Sequence, residues 1–299
     1  MSMINIERCN VCPRECGINR RNEIGACKSS ADIKIAKAFL HKWEEPCISG
    51  ENGSGTIFFS NCNLHCVYCQ NYKISHEGYG KVISIDRLAE IFLELQRKKA
   101  HNINLVTPTH YIPQIREAII LSKKCGLTIP VIYNTNSYER VEALKLLEGL
   151  VDIYLPDIKY FDDKYGKKYS KVDGYFKTAS KAVLEMYRQV GNPVFNEEGL
   201  LVKGMMIRHL MLPGLLFDSK KIIDWVLENL PREIYLNIMC QYTPLFRAHQ
   251  YSEINRRINK NHYEGLIDYA ISKGLENGFF QEFESATEEY VPNFDLEGV

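Results

Sequence analysis

After residue 55 the chain alternates between short β-branched or aromatic runs and amphipathic stretches, a rhythm that few folds accommodate. Strands are expected at 56–60, 103–107, 130–134, 151–155, 201–207 and 234–238. Helices are expected between them. Ser84 caps a helix that carries Ile85, Leu88, Ala89, Phe92 and Leu95 on one face. Pro113 suits a first helical turn, and Gly126 suits a left-handed helix end. Asn136 and Glu139 read as an N-cap with an acidic third position, and Asp218 similarly precedes Ile222, Ile223, Val226 and Leu230. A long helix with an insertion is expected in 160–200, and another amphipathic stretch in 263–275.

Repeats of this kind imply a parallel sheet with helices outside it. Eight would close a barrel, whereas six leave it open. The expected fold is therefore α/β, a partial (β/α)6 TIM-like barrel over 51–245. A small N-terminal cysteine-rich segment, 1–50, precedes it, and a helical or irregular extension, 246–299, packs on it. In such folds the functional residues sit at the C-terminal ends of the strands.

The first strand runs into Asn61-Cys-Asn-Leu-His-Cys-Val-Tyr-Cys-Gln70. Its C-x3-C-x2-C spacing gives three thiolates, Cys62, Cys66 and Cys69, for a cubane iron–sulfur cluster that needs four ligands. One iron is left for something other than protein. A zinc knuckle or a trio of buried thiols is the plainer alternative, but no fourth ligand follows closely enough to close a tetrahedron.

Four of the ten cysteines, Cys9, Cys12, Cys16 and Cys27, cluster near the start and can close a site of their own. Spacing alone leaves structural Zn2+ and a second [4Fe–4S] cluster both open there, with disulfides the weaker third option. Just before the first strand, His41, Trp43, Glu44, Glu45 and Cys47 form a dense polar and aromatic stretch. It reads as a loop packed beneath the barrel; the sharper alternative sends a glutamate or Cys47 to the active-site mouth. Gln241 and Tyr242 follow the sixth strand and fall on the catalytic face.

Thirty-seven basic residues balance 37 acidic ones, so charge announces neither a nucleic-acid nor a membrane partner. No apolar run approaches a membrane span and no secretory signal opens the chain, so a cytoplasmic protein is expected.

The cysteine loop, with aromatic Tyr68 before its last cysteine, resembles the signature of the radical S-adenosylmethionine (SAM) superfamily. The later strand ends resemble its pyruvate formate-lyase activating enzyme-like branch. Asn134-Thr-Asn-Ser137 is similar to the Asp-Thr-Asn-Gly of those activases, and Asp157-Ile-Lys159 to their Asp-Leu-Lys. Ile207-Arg-His-Leu-Met-Leu-Pro-Gly214 is similar to their Arg-Tyr-Val-Val-Val-Pro-Gly. The resemblance implies an oxidoreductase that cleaves SAM reductively at the open cluster, making a 5′-deoxyadenosyl radical that abstracts hydrogen.

Glycyl radical enzyme activation is one implied outcome; another peptide, RNA or small molecule as substrate is the alternative. A non-catalytic iron–sulfur or zinc protein is the competing class. The resemblance further implies an electron donor such as flavodoxin or ferredoxin. It assigns SAM binding to Tyr68, Asn134, Asn136, Asp157, Lys159 and Arg208, with Tyr68 near adenine. Where the branch carries Gly-Gly-Glu, this chain has Leu105-Val-Thr-Pro-Thr-His110. Thr107, Thr109 or His110 is expected to take over, since hydroxyls and a neutral imidazole accept an amino proton.

Overall fold

The computed structural model describes residues 4–281 and 292–299. Among them nine strands form one sheet: β1 (Ile33–His41), β2 (Ser54–Phe59), β3 (Lys81–Ile83), β4 (Ile103–Val106), β5 (Val131–Thr135), β6 (Ile153–Pro156), β7 (Val194–Phe195), β8 (Leu201–Leu210) and β9 (Tyr235–Met239). The six expected strands are β2, β4, β5, β6, β8 and β9. They lie side by side and parallel, in the expected order. The result is a partial, TIM-like barrel.

The helices are α1 (Ile85–Arg97), α2 (Ile112–Lys124), α3 (Val141–Leu144), α4 (Tyr175–Val190), α5 (Leu216–Asn229) and α6 (Lys260–Ser272), apart from short turns. Ser84 Oγ accepts from Arg87 N at 3.0 Å and starts α1 as expected. That helix buries Leu88, Ile91, Phe92 and Leu95, each worth about 1.5–3 kcal/mol of burial. Pro113 stands in the first turn of α2, and Gly126 follows its end at φ +100°.

Two expected caps are not caps. α3 starts only at Val141, with Arg140 before it and no side-chain cap. Asn136 Oδ1 instead accepts from Tyr138 N at 2.9 Å, an Asx turn, and Glu139 is drawn into the interior. Asp218 lies inside α5 and accepts from Phe161 N and Asp162 N at 2.9 and 2.8 Å, tying down the loop after β6.

β1 was not expected as a strand. It pairs antiparallel with β2, and β3 pairs with its opening residues. His41 lies across from Ser54, so β1 ends beside the start of β2, under the barrel. The following loop is packed there as expected: Asn102 Nδ2 donates to Ile48 O at 2.8 Å, and Asn237 Nδ2 to Glu45 Oε1 at 2.9 Å. Cys47 packs with Ile48, Ile132 and Ile153. At the other end of the chain Ala38 N donates to Glu297 O at 2.8 Å, and the Phe294 ring meets Phe58 edge-on at 5.4 Å. The rest of the 246–299 extension includes 282–291, outside the described residues. Among the described residues no helix is long and apolar enough to cross a membrane.

Candidate active site

β2 delivers the chain to Asn61, whose φ of +70° turns it sharply into the cysteine loop. Cys62, Cys66 and Cys69 all line one cavity of about 240 Å3 at the C-terminal mouth of the barrel. Each sulfur has a polar neighbour. Leu64 N and Asn136 Nδ2 donate to Cys62 Sγ at 3.3 and 3.5 Å; Ser170 Oγ lies 3.0 Å from Cys66 Sγ and Ser75 Oγ 3.2 Å from Cys69 Sγ. Burial pushes all three thiols up, Cys69 to about 11. Metal binding reverses that, because a coordinated thiol is deprotonated outright.

The later strand ends bring a charged layer to the same cavity. Asp157 and Lys159, two apart after β6, face one side, and Lys159 Nζ donates to Asp157 Oδ2 at 2.9 Å. Arg208 on β8 donates through Nε to Asp157 Oδ1 at 3.0 Å and through Nη2 to Asn134 Oδ1 at 2.5 Å. Burial would raise the Asp157 carboxyl, but Lys159 and then Arg208 draw it below its ordinary value. Burial opposes the Lys159 ammonium too, yet Asp157 first, and Cys66 when it is a thiolate, hold it above its ordinary value. Asn134, Asn136, Asp157, Lys159, Arg208 and Tyr68 all line the cavity, as do Gln241 and Tyr242.

The β4 end departs from expectation. Thr107 lines the cavity and donates through its N–H to Asn134 O at 2.9 Å. Its φ is +58°, strained for a β-branched residue and free for a glycine. That turn carries the next residues outward, so Thr109 and His110 do not line the cavity. Thr109 Oγ1 donates to Glu139 Oε1 at 2.6 Å, and His110 Nε2 lies 2.9 Å from Ser60 O. His110 is pushed down to about 3 by burial and by Arg20. Of the three residues expected to replace Gly-Gly-Glu, only Thr107 reaches the cavity.

Several further side chains complete the site, and Tyr160, Ser170 and Tyr175 among them had no individual sequence signal. Glu44 rises from beneath the barrel to line the cavity, accepting from Arg208 Nη1 at 3.1 Å and from Asn104 Nδ2 at 3.1 Å. The sharper reading of that stretch is therefore right for a glutamate and wrong for Cys47. Burial pushes Glu44 up to about 7 against the pull of Arg208. A chain of hydroxyls links Tyr68 to the cluster loop: Tyr68 to Tyr160 at 2.6 Å, Tyr160 to Ser170 at 2.9 Å, and Ser170 to Cys66. Tyr175 Oη donates to Asn136 O at 2.9 Å and accepts from Lys159 N at 2.9 Å, fixing both strand ends. Glu139 Oε1 gathers Thr109, Tyr133 at 3.0 Å and Thr135 at 2.5 Å. Such partners come from helix and loop residues far apart in sequence, and only packing identifies them.

Three thiols, Cys62 and Cys66 buried and Cys69 half-buried, with N–H groups or hydroxyls at their sulfurs and a lysine nearby, fit a cubane held at three corners. The N-terminal cysteines lie elsewhere, behind the loop rather than in the cavity. Among the described residues, no three His, Cys, Asp or Glu side chains are arranged to hold one single metal ion.

Comparison with known proteins gives a consistent result. The Radical SAM superfamily model matches residues 56–226. The uncharacterized protein MJ0674 of Methanocaldococcus jannaschii is 32% identical over 282 residues, 90% of this chain and 76% of the relative. Crystal structures of Streptococcus suis SuiB, one bound to precursor peptide SuiA and one to SAM, each align over 74% of this chain with a TM-score of 0.51, at 16% and 15% identity. This chain spans less than half of SuiB, 46% and 48% of the two solved chains.

Proposed function

The chain belongs to the radical SAM superfamily, and from that premise we propose that it cleaves SAM reductively and abstracts hydrogen from a second substrate. Membership implies a [4Fe–4S] cluster and SAM. The observation that carries the reading is the convergence of Cys62, Cys66 and Cys69 with Lys159, Asp157 and Asn134 on one cavity.

When bound, the cluster and SAM supply the electron and the C5′–S bond whose homolysis yields the 5′-deoxyadenosyl radical. The chain's own part is binding, orientation and exclusion of water. Cys62, Cys66 and Cys69 would hold the cluster, leaving one iron without a protein ligand. Lys159 presents a permanently charged ammonium to a carboxylate, aimed by Asp157. Asn134 offers its amide nitrogen to ribose, Asn136 lines the cavity with its amide committed to Cys62, Asn63 and Tyr138, and the Thr107 hydroxyl stands at the strand end where the branch has Gly-Gly-Glu. Tyr68 walls the adenine side, its ring fixed by Tyr160 and by Tyr242 at 5.7 Å. Arg208 is already committed to Asp157, Glu44 and Asn134, so it orders the charged layer rather than offering a free cation.

The narrower reading, supported by the likeness of the β5, β6 and β8 ends to the activases, is a glycyl radical activating enzyme. It would be a cytoplasmic protein reduced by a flavodoxin or ferredoxin. The test is anaerobic reconstitution with iron and sulfide, then dithionite plus SAM, with 5′-deoxyadenosine and methionine measured. Both products are expected. Their absence, with the cluster intact by iron count, would leave a non-catalytic iron–sulfur protein.

A further inference from the structure

Arg20 is fully buried, yet its donors meet only carbonyls. Nε donates to Ser30 O at 3.1 Å and Nη1 to His110 O at 2.5 Å, while Nη2 also reaches Ser30 O. Its guanidinium stands 5.6 Å over the Tyr111 ring. Among the described residues no carboxylate lies within ion-pair distance of it. Carbonyls satisfy the N–H groups but leave the charge uncompensated, and burying an uncompensated charge is strongly unfavourable. An anion belongs beside it.

The residues that can supply one are the N-terminal cysteines. All four are free; Cys9, Cys12 and Cys27 are buried and Cys16 half-buried. Backbone bonds fold them together: Cys9 N donates to Ile18 O and Gly17 N to Cys9 O, closing a hairpin, and Lys28 N donates to Gly25 O, closing a turn. The Cys9 side chain contacts Cys16 and neighbours Arg20, and Cys12 neighbours Cys27 and Cys9. A Cβ on Gly25 would stand 3.4 Å from Cys27 Sγ and 3.5 Å from Cys16 Sγ. The glycine leaves room where the sulfurs meet.

We propose that Cys9, Cys12, Cys16 and Cys27 hold a second, closed [4Fe–4S] cluster, with Arg20 as its buried counter-charge. Four thiolates around an iron–sulfur core leave a net negative charge, which is what Arg20 lacks. The lack of a shared focus favours a cluster over zinc: zinc draws all four sulfurs to about 2.3 Å from one ion, and among the described residues no three of these thiols are arranged to share a single ion. A cubane gives each thiolate its own iron.

The site is also mechanically tied to the first cysteine loop. Arg14 Nε donates to Asn63 O at 2.9 Å, His65 Nε2 lies 2.9 Å from Ala26 O, and Asn61 Nδ2 donates to Ser29 Oγ at 3.1 Å. A cluster at the N-terminal site stiffens the segment against which Cys62 and Cys66 are placed.

The test is independent of SAM chemistry. The full chain and a Cys62→Ala, Cys66→Ala, Cys69→Ala triple variant are reconstituted anaerobically with iron and sulfide. Iron, sulfide, zinc and visible absorption are then measured. The wild type is expected to hold about eight irons and the triple variant about four, with iron–sulfur absorption retained. Adding Cys12→Ser to the triple variant removes the remainder. Arg20→Gln in the triple background lowers the iron retained severalfold, and Arg20→Lys restores part of it, which separates charge from loss of packing. A triple variant without iron, or with one zinc in place of a cluster, overturns the assignment. If Arg20→Gln retains iron as the triple variant does, the counter-charge role is wrong.

Discussion

The two cysteine groups use the same ligand within one chain but meet different surroundings. Cys62, Cys66 and Cys69 look into a cavity shared with Lys159 and Asp157, with hydroxyls and N–H groups beside their sulfurs. The N-terminal four are packed behind that loop, with Gly25 among them and a buried arginine beside Cys9. Three ligands facing a cavity leave a coordination position for a small molecule. The N-terminal four face no such cavity, and on the assignment proposed above what remains for them is charge to be balanced and a loop to be held. Ligand number and access, not ligand type, separate the two.

The largest expected effect breaks this contrast at its centre. Cys66→Ala abolishes 5′-deoxyadenosine formation, measured by chromatography after dithionite and SAM, whereas Cys125→Ser, exposed at the end of α2, leaves it unchanged. Next is Asp157→Asn. It strips Lys159 of its carboxylate partner and leaves Arg208 with Glu44, the more distant Glu45 and the Asn134 amide. Unfolding by denaturant should show a loss of about 3–5 kcal/mol, the cost of orphaning buried charge.

A third prediction concerns pH. Burial raises the Glu139 carboxyl from 4.5 to about 7, opposed by Thr109, Thr135 and Tyr133. Between those values Glu139 is protonated in the folded chain and ionised in the unfolded one, so its contribution to stability falls as pH rises from 4.5 to about 7. The Glu139 share is about 3 kcal/mol, which Glu139→Gln should remove from the pH profile of thermal unfolding. Glu44 contributes a slope of the same sign, whereas His110 and His209, pushed down by burial, contribute one of the opposite sign, so the Glu139 share is read as the difference between the two profiles. The smallest effect is at Thr107. Relief of its positive φ and the entropy cost of glycine nearly offset, so Thr107→Gly should change stability by less than about 1 kcal/mol. Thr107→Val keeps the strain and should not gain.

Much of the barrel was legible because parallel strands buried on both faces read as compact apolar runs between helical patterns. Asp157 and Lys159 were legible through the resemblance of Asp157-Ile-Lys159 to the activases, and alternation accounts for both reaching one side. Thr109 and His110 were misplaced because one left-handed residue, Thr107, ends the alternation and turns the chain outward. β1 was overlooked although Ile33 and Ile35 alternate, since its partner β2 lies across a long loop and its polar end merges into the His41–Cys47 stretch. Glu139 looked like a cap because a box of that spacing is common; three buried hydroxyls claimed it instead. Arg20 carried no pattern at all, and only its burial without an acid marks it.

The most direct test of the central claim is electron paramagnetic resonance of the reduced protein titrated with SAM. An open iron on the cluster of Cys62, Cys66 and Cys69 predicts that SAM changes the reduced-cluster signal in the wild type. The change should persist in Cys12→Ala and vanish in Cys66→Ala. A reduced cluster whose signal is indifferent to SAM in the wild type would contradict the account.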